Sequence, residues 1–543
     1  MRKLTLEEKI GQVFMFGFPG NNHEDAHKLI RELKPGGIIY FARNCSTVEE
    51  VSSLSSRLQD WAASSGAGIP LFIAADQEGG IVARLTQGIP VMPGPLSLSA
   101  AVSATDTDVH LIEQVSRAIG VQLRSAGINV NLAPVLDVND NPDNPVIGIR
   151  SFGEDPCLVS EFGVLATKGF LSAGVLAVGK HFPGHGNTSV DSHLDLPALP
   201  HSMERLNSCE LMPFRAAINA GIPAIMSAHI LFQAIDTQKP ATLSHPVLTG
   251  LLRDTLGFQG LIMTDCLEMN AISKYPGTAI GAVEAFKAGC DLLLISHTRE
   301  LQEQAWLALL EAVKSGEVSE DRLDRSVELI LRFKEIFRIP NALPPKEAYD
   351  PEYRQLSENV YLRSITLVKN QAGLVPLLPG TGGKLSLCLA GLKPKRLLQV
   401  EDPLKPGSQS PCPATAQGPE TELGKSLRAR CSNLDLTEVY IDEPSAIEKC
   451  LSLAQRMQAM VILTQNASKD PVQAQFVRAI TEQVPNTVLV ATRDPYDIRI
   501  APNVHTYLCT YSNRPQAIDA LAQVLLGTAR ATGKLPVRIP GQE

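Results

Sequence analysis

Eight short apolar runs constrain the fold of this chain more than any other feature. They occupy residues 13–18, 37–41, 71–75, 130–138, 175–178, 224–226, 261–263 and 291–295, and helix-compatible stretches separate most of them. Their apolar character is continuous rather than alternating, as expected of strands buried on both faces in a parallel sheet covered by helices. Eight such units predict an α/β fold, a (β/α)8 TIM barrel. After it, residues 338–346 (RIPNALPPK) carry three prolines and read as a break between helices. Further buried-strand candidates at 385–390, 439–441, 460–463, 488–491 and 505–508 predict a smaller open α/β sandwich domain. The expected organisation is a catalytic barrel over 1–340, a linker over 341–360 and a C-terminal α/β domain over 361–543. Two domains suit a chain of 543 residues. Residues 403–419, rich in Pro, Ser, Gly and Thr, read as a surface loop.

The ends of the runs carry chemistry. Asp76, Asp137, Lys180-His181, His229 and Asp265 stand at or just beyond the C-terminal ends of separate runs. In a (β/α)8 barrel that end is where active sites are built. The segment Lys180 to His193, KHFPGHGNTSVDSH, gathers a Lys, three His and an Asp in fourteen residues. Its Asp191 and His193 suit a dyad in which the carboxylate orients the imidazole and stabilises its protonated form. Such an imidazole titrates near neutrality and can give and take a proton. Asp265 follows the apolar strand of residues 261–263 almost directly, and its position fits either a nucleophile or the N-cap of a helix starting at Cys266. A carboxylate nucleophile with a separate proton shuttle is the logic of retaining glycoside cleavage.

The segment resembles the K-H-F-P-G-H-G-x-T-x-x-D-S-H signature of glycoside hydrolase family 3, in its β-N-acetylglucosaminidase branch. Further similar motifs follow in family order: GGIIYFARN (36–44), DQEGGIVARL (76–85), NLAPVLDVN (131–139), RSFGEDP (150–156) and TDCLEM (264–269). The resemblance implies that Asp265 is the nucleophile and His193 the acid/base, with Asp191 as its partner. It implies that Asp76, Arg84, Arg150, Lys180 and His181 bind the hydroxyls of the terminal sugar. Structural salt bridges for Arg84 and Arg150, and a structural role for His181, are the alternatives. His185 is expected to order the loop. The sequence departs from the family at Ile81 and Asn187, where many members have Arg and Asp, and at Cys266, where another Asp is common.

The implied activity is exo-hydrolysis of terminal β-linked N-acetylglucosamine (GlcNAc) with retention of configuration, without metal or cofactor. A phosphorylase or a β-glucosidase-type member of the family are the neighbouring alternatives. A metal-dependent amidohydrolase ligated by His181, His185, His193 and Asp265 is a remote one, because the first strand has no H-x-H pair. A non-catalytic carbohydrate-binding protein is another, although the three catalytic positions are intact. The family's glucosidase branch draws its acid/base from the second domain; with His193 on a barrel loop, that domain is expected to be structural or to modulate specificity. A net charge of −8 and no dense basic block argue against nucleic acid or an anionic membrane as partners. No run approaches the ~18 apolar residues of a membrane span, and the N-terminus lacks the apolar core of a signal peptide. Ten scattered cysteines without a C-x-x-C pair suit reduced thiols, so a cytoplasmic location is expected.

Overall fold

The computed structural model describes residues 3–20, 23–102, 109–191, 194–379, 383–392, 420–443 and 445–541. The expected surface loop at 403–419 and His193, the expected acid/base, lie outside the described residues. The chain divides into two compact units, residues 1–92 with 112–353 and residues 93–111 with 354–543.

In the first unit each apolar run yields a strand: β1 (Phe14–Phe16), β2 (Gly37–Tyr40), β3 (Phe72–Ala75), β4 (Val130–Asn131) and β5 (Leu176–Phe182). A short β6 (Ala198–Leu199) precedes β7 (Ala224–Ser227), and β8 (Leu231–Phe232) precedes β9 (Leu261–Met263) and β10 (Leu293–Ile295). Eight of these form one parallel sheet in the order β10-β1-β2-β3-β4-β5-β7-β9, while β6 and β8 pair with each other. The sheet closes because the backbone N–H of Thr264 donates to Leu292 O (3.0 Å) and that of Asp291 to Ile262 O (2.7 Å), bringing β9 against β10. β4 is shorter than the run 130–138 suggests. Pro134 has no N–H to give to a ladder, so regular pairing stops. The chain nevertheless stays beside β5 through the Leu136 N–H on Lys180 O (2.7 Å).

Helices cover the barrel with one apolar face each. Helix Leu6–Gln12 starts from a capping box in which Thr5 and Glu8 satisfy each other's backbone N–H groups. Helix His23–Leu33 buries Ala26, Leu29, Ile30 and Leu33, spaced for a single face. Helix Glu320–Ile336 is capped by Ser319. Beyond it, residues of the expected linker pack on this same unit: Asn341 donates to Gly174 O (2.8 Å) and accepts from Arg124 Nε (2.8 Å). Helix Pro351–Ser364 then begins inside that stretch.

The second unit is built on β11 (Thr366–Asn370), β12 (Leu385–Gly391), β13 (Leu434–Tyr440), β14 (Ala459–Thr464), β15 (Thr487–Ala491) and β16 (Thr506–Cys509). They lie in the order β11-β16-β15-β14-β12-β13, parallel except for the antiparallel edge strand β11. Leu387, Leu389, Val461, Val488 and Leu508 pack with Leu521 and Leu525 of helix Pro515–Leu525. This unit also takes in helix Pro95–Ala101, all seven of whose residues are buried, and Lys534 N–H donates to Ala100 O (3.0 Å).

Candidate active site

The strand ends of the barrel assemble a buried ionic network. β3 delivers Asp76, Gln77 and Glu78. Gln77 Oε1 accepts the backbone N–H groups of Arg84 (2.7 Å) and Leu85 (3.1 Å), which folds the chain back. Arg84 Nη2 then reaches Asp76 Oδ2 at 3.0 Å. Lys180, from the end of β5, places Nζ 2.8 Å from both Asp76 Oδ1 and Glu78 Oε1. Arg150 closes the chain of charges with a two-pronged contact on Glu78, Nε to Oε2 at 2.9 Å and Nη2 to Oε1 at 2.8 Å.

Three cations and two carboxylates share this space. Burial alone would raise the Asp76 carboxyl, but Lys180 and Arg84 outweigh it and hold Asp76 well below the usual aspartate range. Burial likewise opposes ionisation of Glu78, and Arg150 and Lys180 reverse that sign. Lys180 is desolvated yet stays protonated, because Asp76 and Glu78 raise it. The side chain of Asp76 is 13% exposed, against 1–2% for Arg84, Glu78, Lys180 and Arg150. Asp76 is therefore the member of the network that offers most surface to a ligand. An ionised carboxylate there can accept two hydroxyl hydrogen bonds. Arg84 and Arg150 do form the salt bridges that the sequence left open as their alternative role.

His181 follows Lys180 across a cis peptide. Its Nδ1 lies 2.7 Å from Asp137 Oδ2, while Asp137 Oδ1 accepts the backbone N–H groups of His181 (3.1 Å) and His185 (2.7 Å). Asp137 thus fixes both the ring orientation of His181, with its hydrogen on Nδ1, and the entry to the loop. Burial would raise Asp137, but His181 more than offsets this and lowers it. His185 is buried with Nδ1 2.9 Å from Thr188 Oγ1, and burial pushes its pKa down to about 4, as suits a neutral residue that orders the loop. Asn187 Nδ2 donates to Asp140 Oδ1 at 2.6 Å. The aspartate common at this position would meet that carboxylate with like charge. Asp191 is half-buried, and its carbonyl accepts the N–H groups of Leu194 (2.9 Å) and Asp195 (3.1 Å).

Asp265 stands half-buried two residues beyond β9, its Oδ1 accepting the backbone N–H of Cys266 (2.7 Å). The next helix is Asn270–Ser273, preceded by Met269, so Asp265 is not the N-cap of a helix starting at Cys266. His229, beyond β7, is buried with Nε2 3.0 Å from Cys266 O and Nδ1 2.8 Å from Thr242 Oγ1. A carbonyl only accepts, so the hydrogen sits on Nε2 and His229 holds the residue directly after Asp265.

Among the described residues, His181, His185 and Asp265 do not gather as metal ligands; the one group close enough is Cys266, Glu268 and His297. That group suits a metal poorly. Glu268 accepts backbone N–H groups from Ser296 (2.7 Å), His297 (2.6 Å) and Thr298 (2.9 Å). Arg43 donates to His297 Nδ1 at 3.1 Å, which leaves the hydrogen of a neutral ring on Nε2. Burial pushes the Cys266 thiol up to about 12, away from the thiolate a metal needs.

Five residues expected to bind sugar (Asp76, Arg84, Arg150, Lys180 and His181) meet at one end of the barrel, and Asp265 and Asp191 stand beyond the same ends of their strands. Glu78 was not among the expected site residues, and Asp137, marked at the end of its run, was given no role. Their signal was present: a carboxylate in an otherwise apolar or glycine-rich stretch requires a buried partner.

Comparisons with known proteins accord with this architecture. Residues 5–333 match the glycosyl hydrolase family 3 N-terminal domain and residues 365–543 the family's C-terminal domain. β-Hexosaminidase A of Pseudoalteromonas piscicida is 32% identical over 563 aligned positions, covering 94% of this chain and 90% of its own. A β-hexosaminidase of Nitrosomonas eutropha is 33% identical over 311 positions, 56% of this chain and 87% of its own. The solved family 3 β-N-acetylglucosaminidase of Paenibacillus sp. str. FPU-7 superposes with a TM-score of 0.88 at 40% identity, covering 99% of both chains. Matched over both of its halves, the chain belongs to glycosyl hydrolase family 3.

Proposed function

We propose that the protein is a retaining exo-β-N-acetylglucosaminidase that removes terminal β-linked GlcNAc from an oligosaccharide or glycoconjugate. The observation that carries this reading is the similarity over nearly the whole chain to the Paenibacillus β-N-acetylglucosaminidase, together with the complete Asp191, His193 and Asp265 set. In the first step the Asp265 carboxylate attacks the anomeric carbon, the bond to the aglycone oxygen breaks, and His193 gives that oxygen its proton. Asp191 stabilises the imidazolium before transfer. In the second step His193 takes a proton from water, the water oxygen attacks the anomeric carbon, and Asp265 departs as carboxylate. Two inversions leave the β configuration. Asp76, Arg84, Arg150, Lys180 and His181 hold the sugar: Asp76 accepts hydroxyl hydrogens, and the cations keep it ionised. We further infer a cytoplasmic setting, which the free thiols of the nine described cysteines support.

The test is a panel of aryl β-N-acetylglucosaminide, aryl β-glucoside, chitobiose and a muropeptide, with the products followed by proton NMR in buffer with and without phosphate. The expected result is release of β-GlcNAc as the first anomer, with no sugar 1-phosphate. Release from the glucoside alone, or accumulation of the 1-phosphate, would overturn the reading. Asp265→Ala should abolish turnover of the activated aryl substrate.

A further inference from the structure

Single exposed apolar side chains are ordinary on a protein surface, whereas clusters of them are not. Among the described residues eleven large apolar side chains are conspicuously exposed, and five fall in two short segments beside the catalytic residues. Val190 (43%), Leu194 (54%), Leu196 (38%) and Met203 (37%) lie on and just after the loop that carries Asp191, and Tyr275 (84%) lies ten residues after Asp265. The two segments are tied together. Lys274 Nζ donates to Leu194 O at 2.8 Å, and Asn270 Nδ2 reaches the same carbonyl at 3.4 Å. Leu194 is itself held to the dyad loop by its N–H on Asp191 O (2.9 Å). The clamp therefore ties Leu194 to the segment that carries Tyr275, with both apolar side chains turned to solvent.

We propose that Leu194 and Tyr275 form an apolar shelf that binds the aglycone, the part of the substrate beyond the scissile bond. The shelf suits an aglycone with a flat apolar face: the CH face of a further pyranose ring, or an aryl or alkyl group. A tyrosine ring presents such a face at low conformational cost. The location selects the occupant. The shelf is continuous with the loop bearing the proton donor, which must lie next to the departing oxygen, so the group attached to that oxygen is the ligand that reaches it. The proposal rests on the glycosidase reading above and deepens it by assigning the chemical class of the leaving partner.

The experiment uses the full chain and two substrates of the same sugar, 4-methylumbelliferyl β-N-acetylglucosaminide and β-N-acetylglucosaminyl fluoride. The fluoride has no aglycone to rest on the shelf. The double variant Tyr275→Ala with Leu194→Ser should raise KM for the methylumbelliferyl substrate about tenfold. Its kcat should stay within about twofold, and both constants for the fluoride should be unchanged. Tyr275→Phe, which keeps the ring, should behave as wild type. Equal losses on both substrates, or no change on either, would overturn the shelf. So would a wild-type dimer that dissociates in Tyr275→Ala while the kinetics stay fixed, because the apolar cluster would then be a self-association surface. A wild type that cleaves the fluoride but shows no difference among variants overturns the shelf alone. A wild type that cleaves neither substrate overturns the glycosidase reading and the shelf with it.

Discussion

Glu78 shows how a single buried side chain governs several others. It balances Arg150 and half of Lys180, and Lys180 in turn holds Asp76. Glu78→Gln keeps the shape and removes the charge, leaving three buried cations against one carboxylate. The expected cost is about 3–5 kcal/mol of stability, read from urea unfolding. A shift of Lys180 and Asp76 by an ångström should also lower kcat/KM on the aryl substrate by about 100-fold. His229 acts on the other wall of the site. His229→Ala releases the Cys266 carbonyl next to Asp265, the nucleophile of the proposed mechanism, and kcat should fall about tenfold while KM changes less than about twofold. A fall in KM alone would refute that role. At this scale the sequence was readable where a charge ended an apolar run, as for Asp76, Lys180 and Asp265. Asp137 too was marked at the end of its run, but it and Glu78 act by pairing with residues 44 and 72 positions away, and a sequence does not display who pairs with whom.

Whole elements carry two further buried charges, with opposite pH signatures. Helix Glu320–Ile336 turns Lys334 inward, with Nζ 2.9 Å from Gln12 Oε1 and 5.1 Å above the Phe72 ring; burial pushes its pKa down to about 7. The unfolded value is ~10.4. The folded state therefore binds fewer protons between these values, and stability rises with pH from about 7 to about 10. Lys334→Met should abolish that rise and increase Tm at pH 6. In the second unit Asp497, in the turn Asp497–Ile500 after β15, is buried, its Oδ2 has no hydrogen-bond partner among the described residues, and burial raises its pKa to about 7. Against an unfolded value of ~3.9, its contribution is present below about pH 4 and lost as pH rises through about 7. Asp497→Asn should raise Tm at pH 8 and leave it unchanged at pH 4, measured by scanning calorimetry. Strands were the elements most legible in the sequence, because burial on both faces writes itself as an unbroken apolar run. The exceptions have causes. β4 is cut short by Pro134, and β13 was seen only at its end because, at the sheet's edge, it keeps Asp435 and Glu438 among its apolar residues.

Across the whole molecule the chain passes between its two units three times, at residues 92/93, 111/112 and 353/354. The sequence reads as two successive domains, the second expected to be structural or to modulate specificity because His193 belongs to a barrel loop. Helix Pro95–Ala101 changes that expectation. It is buried and belongs to the second unit, so a chain ending near residue 353 would part Leu96, Leu98, Ala100 and Ala101 from the rest of the unit they group with. Truncation there should give a protein that aggregates on purification, as followed by light scattering. Its rescue by polar substitutions at Leu96 and Leu98 would separate a folding requirement from a catalytic one. Nothing in the sequence says which unit takes up that helix.

The hydrogen bond from Lys534 to Ala100 gives this arrangement a consequence in time. During synthesis the helix at 95–101 leaves the ribosome on the order of 400 residues before the segment that hydrogen-bonds to it. At about 5–20 residues per second, its apolar face waits roughly 20–90 s for a partner. The barrel can be largely complete while one of its own connections is still sticky. Yield of this protein in cells should therefore depend on translation speed and chaperone supply more steeply than its equilibrium stability alone would suggest.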